Sequence, residues 1–150
     1  MTDHSKFILK DFYRIEGFRI FFPRENPTFA NPGFNEASLR ELIVRLSPLQ
    51  NIRESITHHF LFQETRRAVP SAYIDYAFFP SQKNIRLFSE NKIPYFMGIQ
   101  SLRSISNFDL VLISNSFPLE LFNLPFLFFN TGIPALKSKR SSLRPIVIMG

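Results

Sequence analysis

Few residues in this chain are placed to do chemistry. The histidines are His4, His58 and His59. His4 lies near the N-terminus. His58 and His59 are adjacent, so on a helix they point in different directions. No third ligand stands at a helical spacing from either, so no metal site is expected. Asp75 and Asp109 enter or flank apolar runs. Asp109 reads as the solvent-facing end of a turn rather than as a catalytic acid. The sequence holds no G-x-S-x-G elbow, no P-loop and no G-x-G-x-x-G. That disfavours a nicotinamide or flavin site of the usual kind, and no catalytic residues are assigned.

What remains is the polar turn Ser114-Asn115-Ser116, which follows the apolar run Leu110–Ile113. Small hydroxyl side chains at the carboxyl end of a strand leave room for a ligand and offer it hydrogen bonds. The same residues equally suit the cap of a helix starting near Pro118. Gly150 closes the run Pro145-Ile146-Val147-Ile148-Met149. It would either allow close backbone approach to a ligand or simply end a strand.

The elements that must position these residues follow an α/β pattern. Ala72–Phe79 is apolar at nearly every position except Asp75, as suits a strand covered on both faces. A helix over 81–91, a short strand over Tyr95–Gly98, a helical turn over 102–106 and a strand over Leu110–Ile113 follow. A helix over 117–130 and a strand over 145–149 complete the series. Crossovers between such strands imply a parallel sheet, and ligands in such sheets sit at the strands' carboxyl ends. Upstream, Asn35 reads as an N-cap, with Leu39, Leu42, Ile43 and Leu46 on one helical stripe. Ser47-Pro48-Leu49-Gln50 restarts a second helix to about Arg66. Phe18–Phe22 reads as a short strand ended by Pro23. The expected fold is a Rossmann/flavodoxin-like open parallel α/β sheet over residues 71–150, with an N-terminal extension of two helices over 1–70. Doubly wound sheets usually have five strands or more, so the domain reads as incomplete at its C-terminus.

Composition narrows the class. The chain has 150 residues, 45% hydrophobic and 20% charged, which is ordinary for a globular protein. With no cysteine it has no disulfide, no thiolate metal site and no cysteine-held iron–sulfur cluster. The start lacks a signal-peptide core. The longest apolar stretch, Leu119–Phe129, is broken by Asn123 and Pro125 and falls short of the ~20 residues that span a bilayer. A soluble, cytoplasmic protein with no membrane contact is expected. The net charge is +6, with a local cluster at Lys137, Lys139, Arg140 and Arg144. No aromatics interleave with it, so a solvated loop is preferred to an RNA-binding patch. The 19 phenylalanines suit core packing or, as the sharper alternative, an apolar partner or cofactor surface.

The ordered set Phe108-Asp109, Ser114–Ser116, Asn123, Gly132-Ile133-Pro134, Arg140 and Pro145–Gly150 resembles the N-terminal cobalamin-binding-like domain of radical S-adenosylmethionine proteins. The resemblance covers roughly residues 71–150. It implies a cofactor-facing set of Ser114, Asn115, Ser116 and Gly150, with Ser81 and Gln82 at the neighbouring strand end, and a role in binding or shielding cobalamin or in docking on a catalytic domain in cis or in trans. The departures are specific. Where cobalamin domains with a histidine ligand carry Asp-x-His-x-x-Gly, the stretch after the Ala72–Phe79 strand reads Pro80-Ser81-Gln82-Lys83-Asn84. That form of ligation is therefore excluded. A Glu frequent after the serine turn is replaced at its position by Pro118, with Glu120 nearby, and the final Gly pair has only Gly150. The radical cluster's Cys-x-x-x-Cys-x-x-Cys is absent. The alternatives are a degenerate interaction module without cofactor, or a basic RNA-associated domain.

Overall fold

Leu42, Ile43 and Val44 are consecutive, and all three are fully buried. An amphipathic helix would turn one of three such residues to solvent, whereas a strand between two neighbours buries them on alternating faces. They form β1 (Arg40–Arg45) in a computed structural model that describes residues 30–51, 56–140 and 145–150. The helix expected from Asn35 is therefore a strand. Its i, i+3, i+4 spacing was compatible with a helix, but β-branched Ile43-Val44 and burial on both faces decide for a strand. A short 3-10 turn (Leu49–Asn51) and α1 (Thr57–Ala68) follow. The second expected helix thus starts late. Next come β2 (Tyr73–Phe78), α2 (Gln82–Glu90) and β3 (Leu110–Ser114). A 3-10 segment (Pro118–Phe128) then leads to β4 (Ile146–Met149).

The strands form one sheet of order β2-β1-β3-β4, and every pairing is parallel. This is an open α/β Rossmann/flavodoxin-like fold. The central strand comes from residues 40–45, inside the stretch read from sequence as a helical extension. The sheet thus reaches back beyond residue 71. The strand expected at Phe18–Phe22 lies outside the described residues. Tyr95–Gly98 forms a buried loop with one antiparallel bridge, Met97 to Ser104, instead of a strand. The helix expected over 117–130 has 3-10 character and holds Pro125, which cannot donate to an α-helical ladder.

Each face of the sheet has its own layer. α1 packs Phe62 on Ile43, Ala72, Ile74 and Tyr76. The other face carries α2, the loop after it and the 3-10 segment, over Leu42, Val44, Ala77, Phe79, Val111 and Ile113. On that face Asp75 is fully buried and accepts hydrogen bonds from the backbone N–H groups of Tyr76 (2.8 Å), Gln100 (3.1 Å) and Ser101 (2.8 Å). A Cβ at Gly98 would collide with the Asp75 carboxylate and the Ser101 hydroxyl, so this close approach requires glycine. The outer edge of β2 is covered locally. The Asn31 side chain donates to the Ile74 carbonyl (2.8 Å) and accepts from its N–H (3.0 Å), as a neighbouring strand would. An exposed edge is an aggregation hazard that such cover removes.

Candidate functional site

β1 leads to α1 on one face, and β3 leads to the 3-10 segment on the other. The carboxyl ends of these adjacent strands therefore diverge, and in open α/β sheets that switch point is where ligands bind. The last residue of β1, Arg45, pairs in register with Ser114 of β3, which puts both side chains on the same face. Arg45 is 1% exposed. Its Nη1 donates to Ser114 Oγ (3.1 Å) and Ser116 Oγ (2.7 Å), and its Nη2 reaches Glu120 Oε1 at 3.5 Å. Glu120 also accepts from the Ser47 hydroxyl and, through Oε2, from the Ser116 backbone N–H at 3.2 Å. Asn123 Nδ2 donates to the Leu46 carbonyl at 2.8 Å, which ties the 3-10 segment to the end of β1. A buried ion pair is tolerable only when its remaining donors and acceptors are met, and the serine hydroxyls and one amide do that here.

The structure gathers part of the expected set. Ser114 is buried and Ser116 lies at the surface, and both accept from Arg45. Asn115 joins Gly150 through a backbone N–H···O bond of 3.3 Å. Its Oδ1 is buried without a hydrogen-bond partner. Gly150 is exposed, and a Cβ there would meet nothing within 4 Å. Ser81 stands at the N-cap position of α2 without a side-chain capping bond, and Gln82 is exposed beside it. These two sit at the end of β2. With β1 intervening, they are about 10 Å from the β3 turn, two strand spacings. Sequence reasoning missed Arg45 and Ser47 because the stretch was read as helix. Glu120 was noted only as displaced from a family position. The signal available was its place four residues after Ser116, within reach of that residue's N–H.

A second polar group lies under α1 on the same face. Glu41 is 1% exposed, and Thr65 Oγ1 donates to its carboxylate at 2.8 Å. Burial pushes the Glu41 carboxyl up to about 7. His58 is buried against Tyr76, with ring centroids 5.5 Å apart, and its Nδ1 has no partner. Burial first, then the charges of His59 and Arg45, lower its pKa to about 4. Among the described residues no cluster of three or more His, Asp or Glu side chains could hold a metal ion. No helix there is long and apolar enough to cross a membrane. Asp109 does not face solvent freely: it pairs with Arg40 Nε at 3.1 Å.

The model of one protein family, described as radical SAM proteins, N-terminal, matches residues 58–150. The chain belongs to this family. No curated protein and no solved structure matches it. The match begins in the first turn of α1, so Arg45 and the rest of β1 lie before the matched stretch. Within that stretch Gly132 takes φ +74°, a left-handed conformation that favours glycine. Arg140 donates to the carbonyls of Pro134 (2.8 Å) and Ala135 (3.0 Å) and lies over the Phe128 ring at 4.6 Å.

Proposed function

We propose that this radical SAM N-terminal domain acts by docking on a catalytic domain that this chain does not contain, with its own switch-point crevice closed. The observation that carries this reading is the Arg45–Glu120 pair. It crosses the position where a ligand would lie and engages the hydroxyls of Ser114 and Ser116. A corrin fits this arrangement poorly. The residues after β1, Leu46-Ser47-Pro48-Leu49-Gln50-Asn51, hold neither the histidine nor the glycine of the cobalamin loop. Displacing Arg45 would leave Glu120 as a buried uncompensated charge, at a cost of about 3–5 kcal/mol. With no cysteine among these 150 residues, they supply no cluster ligands for radical chemistry, and that chemistry would belong to the catalytic domain, in cis or in trans.

One observation favours the second reading, cobalamin binding. Asn115 Oδ1 is a buried acceptor without a partner, beside the open backbone of Gly150. Titration of the purified chain into hydroxocobalamin separates the two. The docking reading expects no saturable change in the corrin absorbance. A saturable change that Asn115→Leu or Ser116→Phe abolishes, with the fold intact, would establish cofactor binding instead. An RNA role has less support, because Arg140 is already committed to loop carbonyls and to Phe128.

A further inference from the structure

The α1 side of the sheet is covered over half its width. Strand neighbours in register share a face, so Leu110 and Ile146 stand beside Glu41, and Leu112 and Ile148 beside Ile43, on the side of α1. α1 covers the β1–β2 half of that side, where Phe62 lies with Ile43, Ile74 and Tyr76. The β3–β4 half is left exposed. Leu110 and Leu112 are half-buried and join neither buried cluster, and Ile146 and Ile148 are 54% and 52% exposed. Their neighbours Val111, Ile113 and Val147 point the other way and pack into the core. Parallel strands with apolar side chains on both faces are built to be covered on both.

Topology restricts the source of the cover. The step from β1 to β2 runs one way across the sheet, with α1 on one face. The steps from β2 to β3 and from β3 to β4 run the other way, so right-handed connections put α2 and the 3-10 segment on the opposite face, where they lie. None of these connections is directed over Leu112 and Ile148, so the cover must come from outside the β1–β4 run. Residues 1–29 lie outside the described residues, and their sequence supplies a matching stripe. Ile8, Phe12 and Ile15 stand at i, i+4 and i+7, and Lys6, Lys10 and Arg14 fall opposite them on a helical projection. This segment joins the described fold on the α1 side. Asn31 is bonded to Ile74 at the β2 edge and accepts from Arg66 of α1 at 2.8 Å. From there to β4 is four strand spacings, about 19 Å, while the chain from Ile15 to Asn31 reaches about 50 Å when extended. β3 and β4 together are about 10 Å wide, the diameter of one helix.

We propose that the β3–β4 half of the α1 face is the docking site of the chain's own N-terminal segment, with Ile8, Phe12 and Ile15 packed as a helical stripe on Leu110, Leu112, Ile146 and Ile148. Lys6, Lys10 and Arg14 then face solvent. The segment completes the second layer of the sheet beside α1. This inference stands apart from the docking reading above, since both partners belong to this chain.

The absence of cysteine makes cross-linking a direct test. The full chain carrying Phe12→Cys/Ile148→Cys is treated with a short bismaleimide and compared with Phe12→Cys/Phe122→Cys. Phe122 is 77% exposed in the aromatic stripe of the 3-10 segment, on the opposite face. Mass spectrometry of the monomer identifies links within one chain. The expected result is an intrachain link that forms about tenfold or more faster at Ile148 than at Phe122, because docking raises the effective concentration of the pair. Urea unfolding gives a second readout without cysteine. Phe12→Ser and Ile148→Ser should each lower the midpoint, and the double variant should lower it by less than the sum, because the two changes remove one shared contact. Additive midpoints overturn the proposal, as does a link no faster at Ile148 than at Phe122. A link formed chiefly between two chains also overturns it and assigns the patch to a second copy.

Discussion

The two faces of this sheet are built on different principles, though the same central strand serves both. Toward α2, β1 presents Leu42 and Val44, which merge with Phe79, Phe88, Phe96, Val111 and Leu127 into a broad apolar cluster reaching across all four strands. Toward α1 the same strand presents Glu41, Ile43 and Arg45, and among the described residues the buried apolar cluster there holds five. Parallel strands covered on both faces normally read as near-continuous apolar runs, so Glu41 and Arg45 break the pattern. Each is met by groups from elsewhere in the fold: Thr65 for Glu41, and Ser114, Ser116 and Glu120 for Arg45. Cohesion is therefore concentrated on the α2 face. The α1 face carries polar wiring that ends at the switch point.

If this division holds, comparable losses of stability should arise from different physics on the two faces. Phe96, fully buried, should cost about 3–5 kcal/mol on substitution to Ala, through lost burial and a cavity. On the α1 face, Arg45→Met should cost a similar 3–5 kcal/mol, because Glu120 is left buried without its cation. The distinguishing experiment is the double variant Arg45→Met/Glu120→Met. An apolar replacement of both partners should recover most of the loss in urea unfolding, whereas no second apolar substitution should rescue Phe96→Ala. If the double variant is as unstable as the single one, the wiring argument is wrong and Arg45 acts mainly by filling space.

A smaller effect tests a charged residue buried in the strands of the apolar face. Asp75 is satisfied by three backbone N–H groups and sits against Gly98. Gly98→Ala would force the carboxylate or the Gly98–Ser101 loop to move, since its Cβ collides with both Asp75 and Ser101. Overpacking of this kind costs about 1–3 kcal/mol. Thermal melts should show the loss, and Gly98→Ala/Asp75→Ala should lower the melting temperature by less than the two single effects combined, because the clash with the carboxylate is then removed and only that with Ser101 remains.

Much of the fold was legible from β2 onward, because Ala72–Phe79 and Leu110–Ile113 are apolar runs of strand length between turn residues. β1 was not, because Leu39, Leu42, Ile43 and Leu46 satisfy a helical spacing and only the tertiary position of the strand distinguishes the two readings. That single misreading concealed the central strand, and with it the residue that crosses the switch point. Ser114 and Ser116 were identifiable from their place at the end of an apolar run. Their partner was not, since a buried arginine at a strand end looks in sequence like the solvated end of a helix. The aromatic stripe was half legible. The grouping of phenylalanines was visible, but which of them face out depends on the three-residue period of a segment whose composition alone suggests an α-helix.

The most selective test separates two groups on the α1 face by the sign of their pH dependence. Burial raises the Glu41 carboxyl from 4.5 to about 7. Between those values the native state keeps a proton that the unfolded chain has released. The stability from Glu41 is thus complete below pH 4.5 and is lost as the pH rises to 7. Burial, with His59 and Arg45, lowers His58 from 6.5 to about 4. Over that interval the unfolded chain binds a proton that the native state refuses. The stability from His58 is thus complete above pH 6.5 and is lost as the pH falls to 4. The two slopes, each at most about 1.4 kcal/mol per pH unit, oppose one another from pH 4.5 to 6.5. Asp75, raised by burial on the other face, works in the same sense as Glu41. Urea unfolding from pH 4 to 8 should therefore give difference curves of opposite sign. Wild type minus Glu41→Gln should fall as pH rises from 4.5 to 7, and wild type minus His58→Leu should rise from 4 to 6.5. Two flat difference curves would mean that water reaches both groups and that the α1 face is looser than its packing implies. Curves of the expected signs would show that Glu41 and His58 stay shielded from water beneath α1.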